Sequence, residues 1–326
     1  MTTISVVIPA YNAERTILET IKSVQQQSFQ DFELIVINDG STDSTLTILS
    51  TVKDSRLNVF SYENGGLSVA RNRGISRATS EFVAFLDADD LWTSDKLELQ
   101  LEVLQQNPRA GLAYSWTYFM DEQKQTVHLD RPLYFEGNVH ADLLVWNFLA
   151  HGSNPLIRRD AINSVGEFNP AVSGAADWDY WLRIAEKWEF AVVRKPQIFY
   201  RLSSTSMSSR VEFMERCQLD VLEQAFGRIT GNLKSLKKQS IANVYQYSAQ
   251  LYISRSSNTE GLQKAFRKLF DAIQLYPPVL LQRKTQKLIL KLLLLSILPP
   301  QLAPVLLERI SKAKAVKAES MSESVF

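Results

Sequence analysis

The sequence predicts an α/β protein, a mostly parallel sheet flanked by helices, followed by a small C-terminal α-helical domain. Three observations carry this. Between Ile4 and Gln106 short unbroken apolar runs alternate with helical spacings, the pattern of a parallel sheet covered on both faces. After Arg210 strand candidates become scarce and long helical patterns take over. The charge divides at the same place: residues 1–210 carry 19 Lys and Arg against 26 Asp and Glu, and residues 211–326 carry 17 against 9. A formal total of +1 thus conceals an acidic segment and a basic one, an asymmetry that points to different partners.

Each element has its own reason. Ile4 to Pro9 (ISVVIP) is a β-branched apolar run, Ala13 to Gln27 has helical spacing through Ile17, Leu18, Ile21 and Val24, and Phe32 to Ile37 (FELIVI) is a second strand. The unit repeats with Ser44 to Val52 as helix, Leu57 to Tyr62 as strand, Leu67 to Ala78 as helix and Glu81 to Leu86 as strand. Ser94 to Gln106 places Leu97, Leu101 and Leu104 on one helical face, and Gly111 to Tyr118 continues the sheet. From Asp121 to Asn154 the pattern loosens around clustered aromatics (Tyr134, Phe135, Trp146, Phe148), the look of a ligand-facing region. Asp177 to Glu186 is a helix, Ala191 to Arg194 and Gln197 to Arg201 are strands, and the serine-rich stretch Ser203 to Ser209 marks the expected boundary between domains 1–210 and 211–326. Beyond it, Ile241 to Arg255 and Gly261 to Tyr276 read as an antiparallel helix pair stopped by Pro277 and Pro278, and the phrase Ala265 to Lys268 through Ala272-Ile273 to Pro277 resembles one tetratricopeptide unit.

Composition excludes several classes. With 326 residues, 45% hydrophobic, the chain can bury a large core, and disorder, collagen repeats and disulfide scaffolds are ruled out. The single cysteine, Cys217, fits a reducing compartment. No basic region precedes an apolar stretch after Met1, so no secretory signal is expected. Neither G-x-G-x-x-G after the first strand nor G-x-x-x-x-G-K-[ST] occurs, which removes the main support for dinucleotide and P-loop readings.

The chemistry-bearing residues fall at strand ends and helix starts. Pro9-Ala10-Tyr11-Asn12 and Asn38-Asp39-Gly40-Ser41 end the first two strands, at the edge where doubly wound sheets bind ligands. Tyr11 can stack on a nucleobase while Asp39 accepts from a ring N–H, which favours uracil or thymine; these are also ordinary turn residues. Asp87-Ala88-Asp89-Asp90 sets three carboxylates in four positions, a donor set for a hard divalent cation, Mg²⁺ or Mn²⁺, shared with a diphosphate. The competing reading makes Asp90 or Asp95 a helix cap. Gly65-Gly66 opens the helix carrying Arg71 and Arg73, with Arg71 in reach of a diphosphate or on an exposed basic face. Asp177 and Asp179 begin a later helix in which Trp178 and Trp181 have core spacing; Asp177 is either an N-cap or a general base facing a cleft.

Taken in order, Val7 to Asn12, Asn38 to Asp43, Gly66 to Gly74, Asp87 to Asp90 and Asp177 to Arg183 resemble the family 2 glycosyltransferases of GT-A (Rossmann-like) fold, over about residues 3 to 208. The resemblance implies inverting transfer of a sugar from a nucleotide-diphosphate donor, UDP or dTDP favoured, to a hydroxyl of a saccharide or lipid-linked acceptor. It implies that Pro9, Tyr11 and Asp39 bind the base, Arg71 the diphosphate, Asp87 and Ala88 the nucleotide sugar, Asp87 and Asp89 the metal, and that Asp177 is the base. Two departures stand out: Ala176 replaces the family's usual Glu, and Leu202-Ser203 follows Tyr200-Arg201 where many members carry His. His151 and Asn154, before a second family-like phrase from Leu156 to Phe168, are candidate acceptor-site residues with Trp178 and Asp179. His128, His140 and His151 equally read as surface or packed histidines.

The tail, Val279 to Leu298, has Arg283, Lys287 and Lys291 four apart with Leu288, Leu292 and Leu295 alongside. It is shorter in apolar length than the roughly 20 residues a bilayer span needs. It reads either as a basic amphipathic helix on an anionic membrane surface or as a core helix. The expected location is the cytoplasm, peripheral at the membrane face. A nucleic-acid partner is not expected, because no binding motif accompanies the basic charge. A non-catalytic nucleotide-sugar or carbohydrate-binding relative with a helical interaction domain is the alternative function.

Overall fold

The computed structural model describes residues 2–121, 127–129, 132–203, 210–255 and 259–297. Of the expected serine-rich break from Ser203 to Ser209, residues 204–209 lie outside them, as does the segment from Leu298 onward. Strands β1 (Ile4–Ala10), β2 (Phe32–Asp39), β3 (Leu57–Tyr62) and β4 (Phe82–Phe85) alternate with helices α1 (Ile17–Gln25), α2 (Thr45–Thr51) and α3 (Leu67–Arg77). β1 is buried at every position because it lies between β2 and β4, both parallel to it, with Ile4 opposite Phe32 and Phe82. Such strands have no solvent face, which is why the sequence runs unbroken rather than alternating. α3 packs closely on β1 at Gly74, where a Cβ would come within 2.2 Å of Val7.

After β4 come β5 (Leu91–Trp92), α4 (Lys96–Gln106), β6 (Ala110–Met120), β7 (Val127–Leu129), α5 (His140–Val145), β8 (Leu156–Arg158), α6 (Arg159–Val165), a 3₁₀ segment (Pro170–Ala175), α7 (Ala176–Ala185) and β9 (Glu189–Arg201). The sheet order is β3-β2-β1-β4-β8-β6-β9-β5, with β7 on β6. The short antiparallel β8 stands between β4 and β6, so the second half of the sheet is mixed. The two strands expected around Arg194 and Gln197 are one, β9, whose pairing with β6 shifts register where Pro196 opposes Trp116. Proline supplies no amide hydrogen, so the ladder slips there instead of ending.

The expected boundary at Arg210 needs correction. Two compact units divide after Leu236, so α8 (Val211–Arg228) belongs to the first. It buries Val211, Cys217, Val221, Leu222, Ala225 and Phe226, and Phe213 and Cys217 close over Gly174. An amphipathic helix packed on its own sheet domain leaves no composition break in the sequence. The second unit holds α9 (Lys237–Arg255), α10 (Thr259–Leu275) and α11 (Arg283–Ile297). Ala265, Leu269 and Ala272 form the buried stripe of α10, and Pro277 opens a 3₁₀ turn that ends the pair.

Candidate active site

The loops after β1 and β2 are tied together. Asn12, at φ +48°, accepts from the Thr42 amide at 2.8 Å and donates its own amide to Ser41 Oγ at 3.0 Å. Pro9 is buried beneath them and Tyr11 is 54% exposed, a ring face available for stacking. Asp39 is buried and already engaged. Its carboxylate accepts from the Gly65 amide at 3.0 Å and the Gly66 amide at 2.8 Å, and pairs with Arg73 at 2.6 Å. A carboxylate has about four lone-pair sites, so a ring N–H would have to displace or share one of these donors. Asp39 thus fixes the glycine turn from which α3 starts.

α3 carries Arg71 into the interior. The side chain is buried, donates from Nη2 to Asp87 Oδ1 at 2.7 Å, and lies over the Phe168 ring at 5.4 Å. Gly152 is what lets it fit, since a Cβ there would come within 2.1 Å of Nη2. Arg71 Nε is buried without a hydrogen-bond partner.

The acidic loop is built as a platform, not a helix cap. Asp90 is fully buried, accepts from Ser153 Oγ, and accepts from the Arg201 amide at 2.9 Å. The Asp87 amide donates to the same Ser153 hydroxyl at 3.0 Å, while Thr16 and Thr20 donate to the Ala88 carbonyl. Arg201, at the end of β9, bonds the Asp89 carbonyl at 2.8 Å and Glu19 at 3.1 Å. Asp95 occupies the cap position of α4 but makes no capping bond; its carboxylate meets Lys195 and Thr93. Burial, and then the Asp87 charge, push Asp89 up to about 6, and burial with Asp89 and Asp87 drives Asp90 far above the ordinary range. Carboxylates in this condition fit a hard divalent cation: Asp87 and Asp89 offer only oxygen donors, the set Mg²⁺ and Mn²⁺ take together with substrate phosphates. Among the described residues no cluster of three or more His, Cys, Asp or Glu is assembled for a metal.

Asp177 is in the first turn of α7, and the cap position is Ala175, so the helix-cap reading fails. Its Oδ1 accepts from the Trp178 amide at 2.8 Å. Burial pushes it up to about 6, Arg71 pulls it down and Asp87 pushes it up, which places the three groups in one electrostatic neighbourhood. His151 shares that neighbourhood, held to about 4 by burial, with Asp87 and Arg71 acting in opposite directions. Its Nε2 meets Thr117 Oγ1 at 2.9 Å and its Nδ1 is buried without a partner.

The other acceptor-site candidates are buried and bonded within the fold. Asn154 is buried and clamps β6 through the amide and carbonyl of Ser115. Trp178 is a core residue whose Nε1 donates to the Leu143 carbonyl at 2.9 Å. Asp179 is buried in a two-bond pair with Arg183, at 2.9 Å for each nitrogen. All three spend their polar atoms on the fold. The sequence singles out Arg73 and Arg201 without these roles, and Ser153 without any; Arg73 holds Asp39, and Ser153 and Arg201 hold the acidic loop.

The acidic loop follows β4 in this sheet order, and Asp177 lies within the electrostatic reach of Arg71. The chain belongs to the glycosyltransferase like family 2, whose model matches residues 5–270. It is 33% identical over 210 residues to TuaG of Bacillus subtilis, a glycosyltransferase named for teichuronic acid biosynthesis, covering 63% of this chain and 81% of that one. It is 39% identical over 105 residues, 32% of this chain and 44% of the relative, to WfgD of Escherichia coli, a UDP-Glc:α-D-GlcNAc-diphosphoundecaprenol β-1,3-glucosyltransferase. Some curated relatives are far longer, and the chain spans 24% of two of them. The fold is similar to residues 1–349 of TarS of S. aureus in complex with UDP-GlcNAc, with TM-score 0.62, 19% identity, and coverage of 92% of this chain and 88% of that one.

Proposed function

We propose that the chain is an inverting glycosyltransferase that moves a sugar from a UDP- or dTDP-linked donor to a hydroxyl of a saccharide or lipid-linked acceptor, with Asp177 as general base. The observation that carries this reading is the family match over residues 5–270, with the buried Arg71 paired to Asp87 at 2.7 Å and Asp177 in the same electrostatic neighbourhood. A carboxylate held near 6 is ionised at neutral pH yet basic enough to take a hydroxyl proton in the transition state. Arg71 is positioned to bind the diphosphate, with its free Nε and a guanidinium fixed between Gly152 and Phe168. Tyr11 stacks on the base, and Pro9 and Asp39 shape that end of the cleft. Asp87 and Asp89, beside Ala88, would hold a divalent cation, which when bound offsets the charge of the departing diphosphate. Ala176 leaves the base untouched, and the missing His at Ser203 leaves the donor set to the carboxylates.

The second unit docks on an anionic membrane surface. Arg283, Lys284 and Lys287 are exposed on α11 beside Leu290, Leu293 and Ile297, with no acidic residue on that helix. Among the described residues no helix is long and apolar enough to cross a membrane. The decisive experiment is donor turnover with UDP-, dTDP- and GDP-sugars in Mn²⁺ or Mg²⁺. Metal-dependent turnover of a UDP- or dTDP-sugar, lost in Asp177→Asn and Asp89→Ala, supports the reading, and unchanged turnover in both variants refutes it.

A further inference from the structure

We propose that the aromatic cavity between residues 132–135 and the end of α5 is a saccharide-binding subsite that seats the acceptor's sugar ring. This rests on the glycosyltransferase reading and adds to it the place and chemistry of acceptor recognition. The cavity has a volume of about 350 Å³ and is lined by Pro132, Leu133, Tyr134, Phe135 and Trp146. That volume is at the small end of ligand sites, the scale of a short saccharide.

Its walls have the character that sugar rings select. A pyranose presents an apolar C–H face and a hydroxyl rim, so it wants a flat aromatic surface beside charged or amide groups. Tyr134 is 58% exposed and stands edge to face with Trp116 at 5.7 Å; Phe135 meets Trp146 at 6.2 Å. Beside Tyr134, the ion pair Arg194–Glu136 at 3.2 Å is more than half exposed, and the Arg194 guanidinium is 5.6 Å from the Tyr134 ring centre. It supplies both donors and acceptors to hydroxyls.

One wall of the cavity is preformed. Two side chains of β6 pin its loop, Tyr114 through its hydroxyl to the Phe135 carbonyl and Trp116 through Nε1 to the Leu133 carbonyl, each at 2.8 Å. A rigid wall loses less entropy on binding than a loop that must order. On its other side, Trp146 follows the last residue of α5, and α5 is joined to the turn that carries Asp177 by the Trp178 Nε1 bond to Leu143. An aromatic cluster that only completed the core would be covered, whereas Tyr134 is the most exposed aromatic side chain of this unit among the described residues.

The test uses the full-length protein, with methyl β-D-glucopyranoside, methyl β-D-galactopyranoside and methyl N-acetyl-β-D-glucosaminide as probes, followed by saturation-transfer NMR and tryptophan fluorescence. At least one glycoside binds the wild type, Tyr134→Ala weakens it about fivefold to tenfold, and Tyr134→Phe restores it. Affinity for UDP is the same in all three proteins. Because Tyr134 is exposed, its removal leaves the fold intact, which an unchanged melting temperature verifies. Absence of binding by all three glycosides, or equal binding by wild type and Tyr134→Ala, overturns the subsite. Failure of the enzyme to turn over any nucleotide sugar instead overturns the glycosyltransferase reading, and leaves a Tyr134-dependent glycoside site standing.

Discussion

Replacing Asp177 by Asn should stabilise the protein at neutral pH while abolishing transfer. Burial lifts the Asp177 carboxyl from its ordinary 3.8 to about 6. The folded protein therefore holds that proton more tightly than the unfolded chain does. Below about pH 4 both states are protonated and the group is neutral to stability; as pH rises through about 6 the fold must carry a disfavoured anion and loses stability. At about 1.4 kcal/mol per pH unit of difference, the full penalty above pH 6 is on the order of 2 to 3 kcal/mol. Asn has the shape of the protonated acid and keeps the 2.8 Å bond from the Trp178 amide. Urea denaturation in EDTA, followed by tryptophan fluorescence, reads the right unit, because all six tryptophans lie before Leu236. The variant should match wild type at about pH 4 and exceed it by about 2 kcal/mol at pH 8. An equal difference at both pH values, or a less stable variant at pH 8, would refute an anion held against burial.

Transfer by the wild type should fall as pH drops through about 6, because the base is then protonated; a rate flat from pH 5 to 8 would count against Asp177. Gly152→Ala should push the Arg71 guanidinium out of place, costing roughly 1 to 3 kcal/mol of stability and weakening UDP binding about tenfold, measured by calorimetry. Lys96 is fully buried over the Trp92 ring at 3.9 Å without a hydrogen-bond partner, and burial holds it well below its ordinary value. The unfolded chain therefore binds that proton more tightly, and stability attributable to a neutral Lys96 falls as pH drops; Lys96→Met should erase this trend and raise the urea midpoint at pH 7. Full-length protein should float with vesicles containing anionic lipid at low salt and lose this in a Lys284→Glu, Lys287→Glu double variant; equal flotation of both would remove α11 as the membrane contact.

How much of this was legible depended on whether a residue's role is local. The apolar runs of β1 and β2 and the leucines of α4 read directly, since burial on both faces or on one stripe writes itself into spacing. The position of Asp87, Asp89 and Asp177 at element ends was equally plain. The roles of Asn154 and Asp179 were not, because a polar residue's partner is set by tertiary contact: Asn154 serves β6, Asp179 serves its neighbour on α7. β8 was illegible as a strand for the same reason, since three residues between β4 and β6 gain their identity only from both neighbours. The boundary at Arg210 was placed by composition, whereas α8 is held by packing against the segment that includes Gly174.

The charge pattern of the first unit follows from how the site is kept folded without ligand. Asp87 is neutralised by Arg71, Asp39 by Arg73, and Asp90 by burial and hydrogen bonds alone. A diphosphate that recruits Arg71 leaves Asp87 uncompensated next to Asp89 and Asp177, in surroundings that already push both upward. In the proposed site the added anion would make a divalent cation more favourable at Asp87 and Asp89 than in the free protein, and by linkage the cation would favour the diphosphate equally. On the proposed roles of these residues, donor and metal affinity would be coupled through the Arg71–Asp87 pair, and the acidic excess of the first 210 residues includes the charges involved.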